Sequence, residues 1–254
     1  MHNLFAYLKT INKAWLITWA IIYASFLILD IIWQGSIPVT VIKYTGIVLC
    51  LVYAFKKWPK DYLLQIALLF TLLADTILVF DHTSTIGVFV FCIAQFFHLA
   101  RLSQFHFSPR AFTVYIIIIL LVVAFGITQH LQIMYPLAGV YLITLIFNVI
   151  SAHAWYASAH TVPSLCAICG FILFFCCDFN VGISYFSAVG ALPIVLFAPA
   201  NYLAWFFYYP SQVLISNSSK ENHPSINSHL PPKTSTSKKV QRNTNFSKKV
   251  CYNK

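Results

Sequence analysis

Apolar residues along this chain gather into eight long blocks separated by short polar breaks, at about 14–33, 37–55, 62–80, 84–101, 111–128, 135–156, 164–183 and 196–216. Each block is close to the roughly 17–25 residues that carry a helix across a bilayer. A membrane barrel would show shorter segments of strict alternation instead. The pattern therefore predicts an all-α, polytopic integral membrane protein with eight transmembrane helices. The break Asp81-His82-Thr83 turns the third and fourth blocks into a helical hairpin. Pro193, Pro199 and Pro210 interrupt the last block, which predicts a final helix that is kinked or starts late.

Composition sharpens this picture. Of the 254 residues, 59% are hydrophobic and only 9% are charged, against about 25% charge in soluble domains. A single soluble core could not hide that apolar surplus. Charge placement then orients the helices. Lys43 lies inside the second block; the other 15 of the 16 Lys and Arg fall in or beside segments 1–13, 56–61, 102–110, 157–163 and the stretch after 216. Under the positive-inside rule these segments are cytoplasmic, as are both termini. Lys9 and Lys13 precede a run too long for a signal-peptide core, with no small-residue cleavage site after it, so the first block reads as a span. The expected organisation is a transmembrane domain over 1–216 and a basic, disordered cytoplasmic tail over 217–254, with eight basic residues and one acid, Glu221. Such a tail is drawn to anionic lipid headgroups. The expected location is the cell membrane.

Six of the seven cysteines (Cys50, Cys92, Cys166, Cys169, Cys176 and Cys177) sit in apolar runs as small hydrophobes. Cys166-x-x-Cys169 has no second pair, so no metal site is expected.

Four ionisable residues stand where hydropathy does not explain them: Asp30, Lys43, Asp75 and Asp178. Counted from the outer ends of their blocks, Lys43, Asp75 and Asp178 lie roughly 7–9 Å below the membrane boundary, at 1.5 Å per residue. One cation and two carboxylates from three helices thus share one depth. Tyr141 and Asn201 reach a similar level, and Gln95, Asn148 and Gln212 lie deeper. Intramembrane charges face protein or water and find partners. Lys43 is the expected partner of Asp75 or Asp178, but one lysine cannot neutralise both, which leaves a carboxyl group for acid–base work. Asp30 is expected to be solvated near the interface, Arg101 to snorkel to the other face, and the aromatic stretch around Tyr208 to serve packing and anchoring.

Several short motifs bear a family resemblance over roughly 37–216. They are Ala74-Asp75 with Leu78; Gly87, Phe91, Gln95 and His98; Gly170, Phe174 and Asp178; Tyr209, Gln212, Leu214 and Ile215; and Lys43-Tyr44. With them the chain resembles the YhhN family of eight-span membrane proteins, whose characterised members are lysoplasmalogenases. Here Ala74 replaces a glycine, Gln95 a histidine and His98 a tyrosine of the family pattern, while both Asp positions, the Lys and the final Gln are kept.

The resemblance implies hydrolysis of the vinyl ether bond of a lysoplasmalogen, giving a fatty aldehyde and a glycerophospho-headgroup compound. It implies Asp75 and Asp178 as the catalytic acid and carboxylate, in either order. Lys43, Gln95, His98, Tyr141, Asn201, Tyr209 and Gln212 would bind substrate or support the pair. The expected partners are a lysophospholipid substrate and membrane lipids, with no nucleic acid, cofactor or metal; the oligomeric state is left open. Carboxylates at one depth also suit a different class, a proton-linked transporter or lipid-binding protein.

Overall fold

The polar breaks become helix caps. The Asp61 carboxylate accepts the N–H of Leu64 at 3.2 Å, satisfying a donor that would otherwise be orphaned at the start of helix α3 (Tyr62–Phe80). Thr161 and Ser164 form a capping box, with Pro163 in the first turn, and begin α7 (Val162–Ala188). Helix α6 (Met134–Ala159) stops where His160 takes the left-handed conformation at φ 47°. The other helices are α1 (Lys13–Ile32), α2 (Ile37–Lys57), α4 (Thr85–His106), α5 (Pro109–Thr128) and α8 (Phe197–Ser216), the last preceded by a 3-10 turn at Ile194–Leu196.

The computed structural model describes residues 13–33, 36–81, 84–106 and 109–219. Among them there are eight helices and no strand. Lys9 and the rest of the N-terminal segment, His82 and Thr83 of the hairpin break, and residues 220–254 of the expected tail lie outside the described residues. Asn217, Ser218 and Ser219, counted with the tail in the sequence reading, are buried. Tyr53 bonds to the Asn217 side chain at 2.9 Å, and the indole of Trp58 bonds to the Ser216 carbonyl at 2.8 Å, so the chain just beyond α8 is fastened to α2.

Seven helices, α1 to α7, are long and apolar enough to cross a membrane by length and composition. The chain is thus a multi-pass helical membrane protein. Helix α8 has 20 residues but falls short in hydropathy, because it carries Asn201, Gln212, two serines and the in-helix Pro210. Instead it packs against α7, α2 and α1. The three prolines act as expected: Pro193 precedes the 3-10 turn, Pro199 lies in the first turn of α8, and Pro210 is accommodated within it.

Helix neighbours close a ring in the order α2, α3, α4, α6, α7, α8 and back to α2. Helix α1 lies outside it against α2 and α8, and α5 lies outside against α6. Helix α5 accordingly buries only Tyr115 and Gly126 and exposes Leu120, Leu121, Phe125 and Ile127; in a bilayer that face meets lipid. Small residues set the tightest approach in the ring. A Cβ at Gly170 of α7 would come within 2.8 Å of Ile215 and 3.2 Å of the Ser211 carbonyl on α8, so the two backbones touch there. Phe171, Phe174, Leu145, Leu64 and Ile215 fill the adjoining core.

Several boundaries differ from the apolar blocks. Helix α4 runs past Arg101 to His106 and α7 continues to Ala188. Asp178 is therefore about 15 Å along the helix from the end of α7, at 1.5 Å per residue, rather than about five residues away.

Candidate functional site

Inside the ring, α3 and α7 each contribute one carboxylate. Asp75 of α3 is buried at 9% exposure, and its Oδ2 accepts the Tyr208 hydroxyl of α8 at 2.5 Å. Asp178 of α7 is half-buried, and its Oδ2 accepts the Tyr141 hydroxyl of α6 at 2.5 Å. The two carboxylates are close enough for their charges to act on each other, and Cys177 stands beside both. Four helices thus meet in a paired arrangement, each acid held by one phenol. Aromatic rings wall the pair: Phe174 packs on Tyr208 at 5.6 Å and on Phe91 at 6.2 Å, and Phe91 on Tyr141 at 5.8 Å.

Next to this pair lies an amide layer. The Asn148 side-chain N–H₂ of α6 donates to the Gln95 side-chain carbonyl at 2.7 Å and to its backbone carbonyl at 3.1 Å. The Gln95 carboxamide also comes close to the Tyr141 hydroxyl. Gln95 and Asn148 are fully buried. Among the described residues, no three His, Cys, Asp or Glu side chains are grouped as a metal ion would require.

The structure corrects several sequence expectations. Lys43 does not partner Asp75 or Asp178: its Nζ pairs with Asp30 at 2.8 Å and lies 4.7 Å from the centre of the Trp205 ring. Asp30 is correspondingly buried at 2% exposure rather than solvated. The physical reason is local. The two residues flank one hairpin turn, and α1 packs along α2, so the flexible lysine stem reaches the nearer acid. Lys43 stays linked to the site through Trp205, which packs edge-on against Tyr208 at 5.6 Å.

Arg101 does not snorkel. It is 2% exposed; Nε donates to Asp61 at 3.1 Å, Nη1 to the Ser218 hydroxyl at 3.0 Å, and Nη2 to the Ser218 carbonyl. The acidic cap of α3 and the chain beyond α8 supply acceptors that make burial preferable to reaching for water.

Tyr209 does not face the acid pair. Its ring stacks on Tyr23 at 5.6 Å, fills the notch left by Gly46, and leaves its hydroxyl buried without a partner. Its neighbour Tyr208, read from sequence as packing, is the one that reaches Asp75. Successive helical residues point about 100° apart, so only one of two adjacent tyrosines can face the lumen. Spacing from Gln212 does not separate the two, because three and four residues both share a helix face.

The other expected residues fall in two groups. His98 and Gln212 are fully buried in the ring, His98 edge-on to Phe171 at 5.2 Å. Asn201 is half-buried and lies about 10 Å up α8 from Tyr208, away from the paired acids.

The model of the YhhN family matches residues 38–219, well over half of the chain. The match takes in Lys43, both acids and both tyrosines that hold them, and leaves out α1 with Asp30. No curated protein and no solved structure matches the chain.

Proposed function

This chain belongs to the YhhN family, and from that premise we propose that it is a membrane-embedded hydrolase that cleaves the vinyl ether bond of lysoplasmalogens. The observation that carries the reading is the Asp75–Asp178 pair, each acid fixed by a tyrosine hydroxyl inside a ring of helices.

Vinyl ethers hydrolyse by slow protonation at carbon. In this reading one carboxyl group delivers its proton to the β-carbon of the enol ether, and the adjacent carbon becomes an oxocarbenium ion. The second group, as carboxylate, stabilises that cation and takes a proton from the attacking water, the division of labour used at glycosidic centres. The new C–O bond gives a hemiacetal. Its collapse breaks the bond to the glycerol oxygen, which leaves protonated, and releases the fatty aldehyde. One water is consumed and both carboxyl groups recover their starting forms after one proton exchange. Two carboxyl groups in one enclosed site take different roles because their surroundings differ. Here Asp75 is buried and Asp178 is only half-buried, so Asp178 is the acid that an entering lipid meets first. Tyr141 and Tyr208 are positioning residues that hold the carboxylates in register. Gln95, His98 and Gln212 support the site from the layer beside it. Lys43, held by Asp30, acts through Trp205 and Tyr208.

The same reading places eight crossings in the cell membrane, with both termini cytoplasmic, on the distribution of Lys and Arg. The partners are a lysophospholipid substrate and bilayer lipids. The test is incubation of the purified protein in lipid nanodiscs with lysoplasmalogens of several headgroups, with aldehyde as the readout. Aldehyde release supports the hydrolase. Its absence with every headgroup rejects it and leaves lipid binding or proton-linked transport.

A further inference from the structure

Beside the acid pair, the ring interior holds a concentration of buried polar atoms that no protein group satisfies. Gln95 Nε2, Asn148 Oδ1, both ring nitrogens of His98, Ser151 Oγ and Gln212 Oε1 are all enclosed and without a hydrogen-bond partner. Four of these five side chains are fully buried, and Ser151 is 5% exposed. They are not scattered. Helices α4, α6 and α8 are separated by single antiparallel helices, so they run in the same direction through the bundle. Gln95 of α4 and Asn148 of α6 are level, because they hydrogen-bond. His98 and Ser151 each lie three residues further on, one turn along the same faces. Gln212 lies one turn beyond Tyr208 on α8. Three helices therefore show unsatisfied groups beyond the acid layer, all toward the end of the bundle that Arg101 and Asp61 occupy.

Buried polar groups in folded proteins are satisfied by protein or by ordered water, and leaving them bare is costly. A layer with donors and acceptors on three helices supplies the two to four partners that an internal water needs. We infer that this layer is a water site: a short file of bound water running from Gln95 and Asn148 past His98, Ser151 and Gln212, and supplying the acid pair with the water its hydrolysis consumes. The inference rests on the hydrolase reading only for that last use; the water site itself follows from the unsatisfied groups. The file connects to the reacting layer through the Gln95 carboxamide, which comes close to the Tyr141 hydroxyl, itself bonded to Asp178. In this arrangement Gln95, His98 and Gln212 contact water rather than lipid.

The test is X-ray radiolytic footprinting of the intact protein in nanodiscs, in ¹⁸O-labelled water and with no substrate present. Hydroxyl radicals formed from bound water label the side chains they touch, including buried ones. His98 and its neighbour Phe171 are expected to take up water oxygen about tenfold faster than Leu64, which is as deeply buried. Uptake at His98 and Phe171 no faster than at Leu64 overturns the proposal. In a second arm, Ser151→Ala, which removes one polar contact and adds no bulk, is expected to lower labelling at His98 several-fold; unchanged labelling also overturns it. Because no substrate is used, labelling without aldehyde release keeps the water site and rejects the hydrolase, while aldehyde without labelling does the reverse.

Discussion

Tyr208 donates its hydroxyl to Asp75 across the ring, joining residues 133 positions apart, while Tyr209 beside it turns away to stack on Tyr23. This adjacency makes a matched experiment. Tyr208→Phe removes a hydrogen bond to a carboxyl group, worth about 1.5–3 kcal/mol when the acceptor is charged. It is expected to lower kcat by roughly 10- to 100-fold, with a smaller effect on KM, as befits a residue that positions the acid. Tyr209→Phe removes a hydroxyl that has no partner, so activity and melting temperature are expected to stay near wild type. The readouts are steady-state aldehyde release and thermal unfolding in the same nanodiscs.

Asp75→Asn and Asp178→Asn are each expected to abolish aldehyde release while keeping the protein folded, since the amide keeps the shape but not the proton chemistry. The double variant should be no worse than either single variant, because residues that act as a unit are not additive. Wild-type turnover in either single variant would remove that carboxyl group from the mechanism.

Lys43 and Asp30 form a buried ion pair, and breaking one side leaves an uncompensated charge. Asp30→Asn is expected to destabilise the protein by about 3–5 kcal/mol, whereas replacing both partners together (Asp30→Leu with Lys43→Met) costs far less. Thermal melts of the three proteins test this. If the double variant is stable and active, the pair is a structural strut; loss of activity at full stability would instead assign Lys43 a contact with substrate.

Arg101 binds three acceptors through three different nitrogens. Arg101→Lys cannot reproduce that fork, so it is expected to restore little of what Arg101→Ala loses. Both should lower the melting temperature and loosen the chain after α8, which limited proteolysis would detect as earlier cleavage near residues 217–219.

The sequence was most informative where one property decides the outcome. Long apolar blocks cannot be anything but helices in a membrane of this kind, so the elements were legible almost to their ends. The ends of α7 were not: residues 184–188 mix Ser, Tyr, Phe and Ala, and the helix continues past the apolar block on its own backbone bonds. Asp75 and Asp178 stood out as isolated charges, and the structure brings them together. Their partners did not stand out. Choosing Tyr208 over Tyr209, or Asp30 over Asp75 as the partner of Lys43, depends on helix rotation and on which helices are neighbours. A single sequence carries little of either. The burial of Arg101 is not legible in the sequence, because the carbonyl it binds belongs to Ser218, beyond the last apolar block.

The two acid contacts also differ in when they can form as the chain leaves the ribosome. Asp30 precedes Lys43 by 13 residues and lies on the adjoining helix, so the first hairpin brings the lysine into the bilayer with its counter-charge already present. Lys43 never waits for a later segment to neutralise it. Asp75 has no such early companion among these bonds, since Tyr208 emerges only with the final helix. The ion pair therefore belongs to the start of membrane insertion, and the paired acids are completed only at its end, which keeps the site unassembled until nearly the whole bundle has been made.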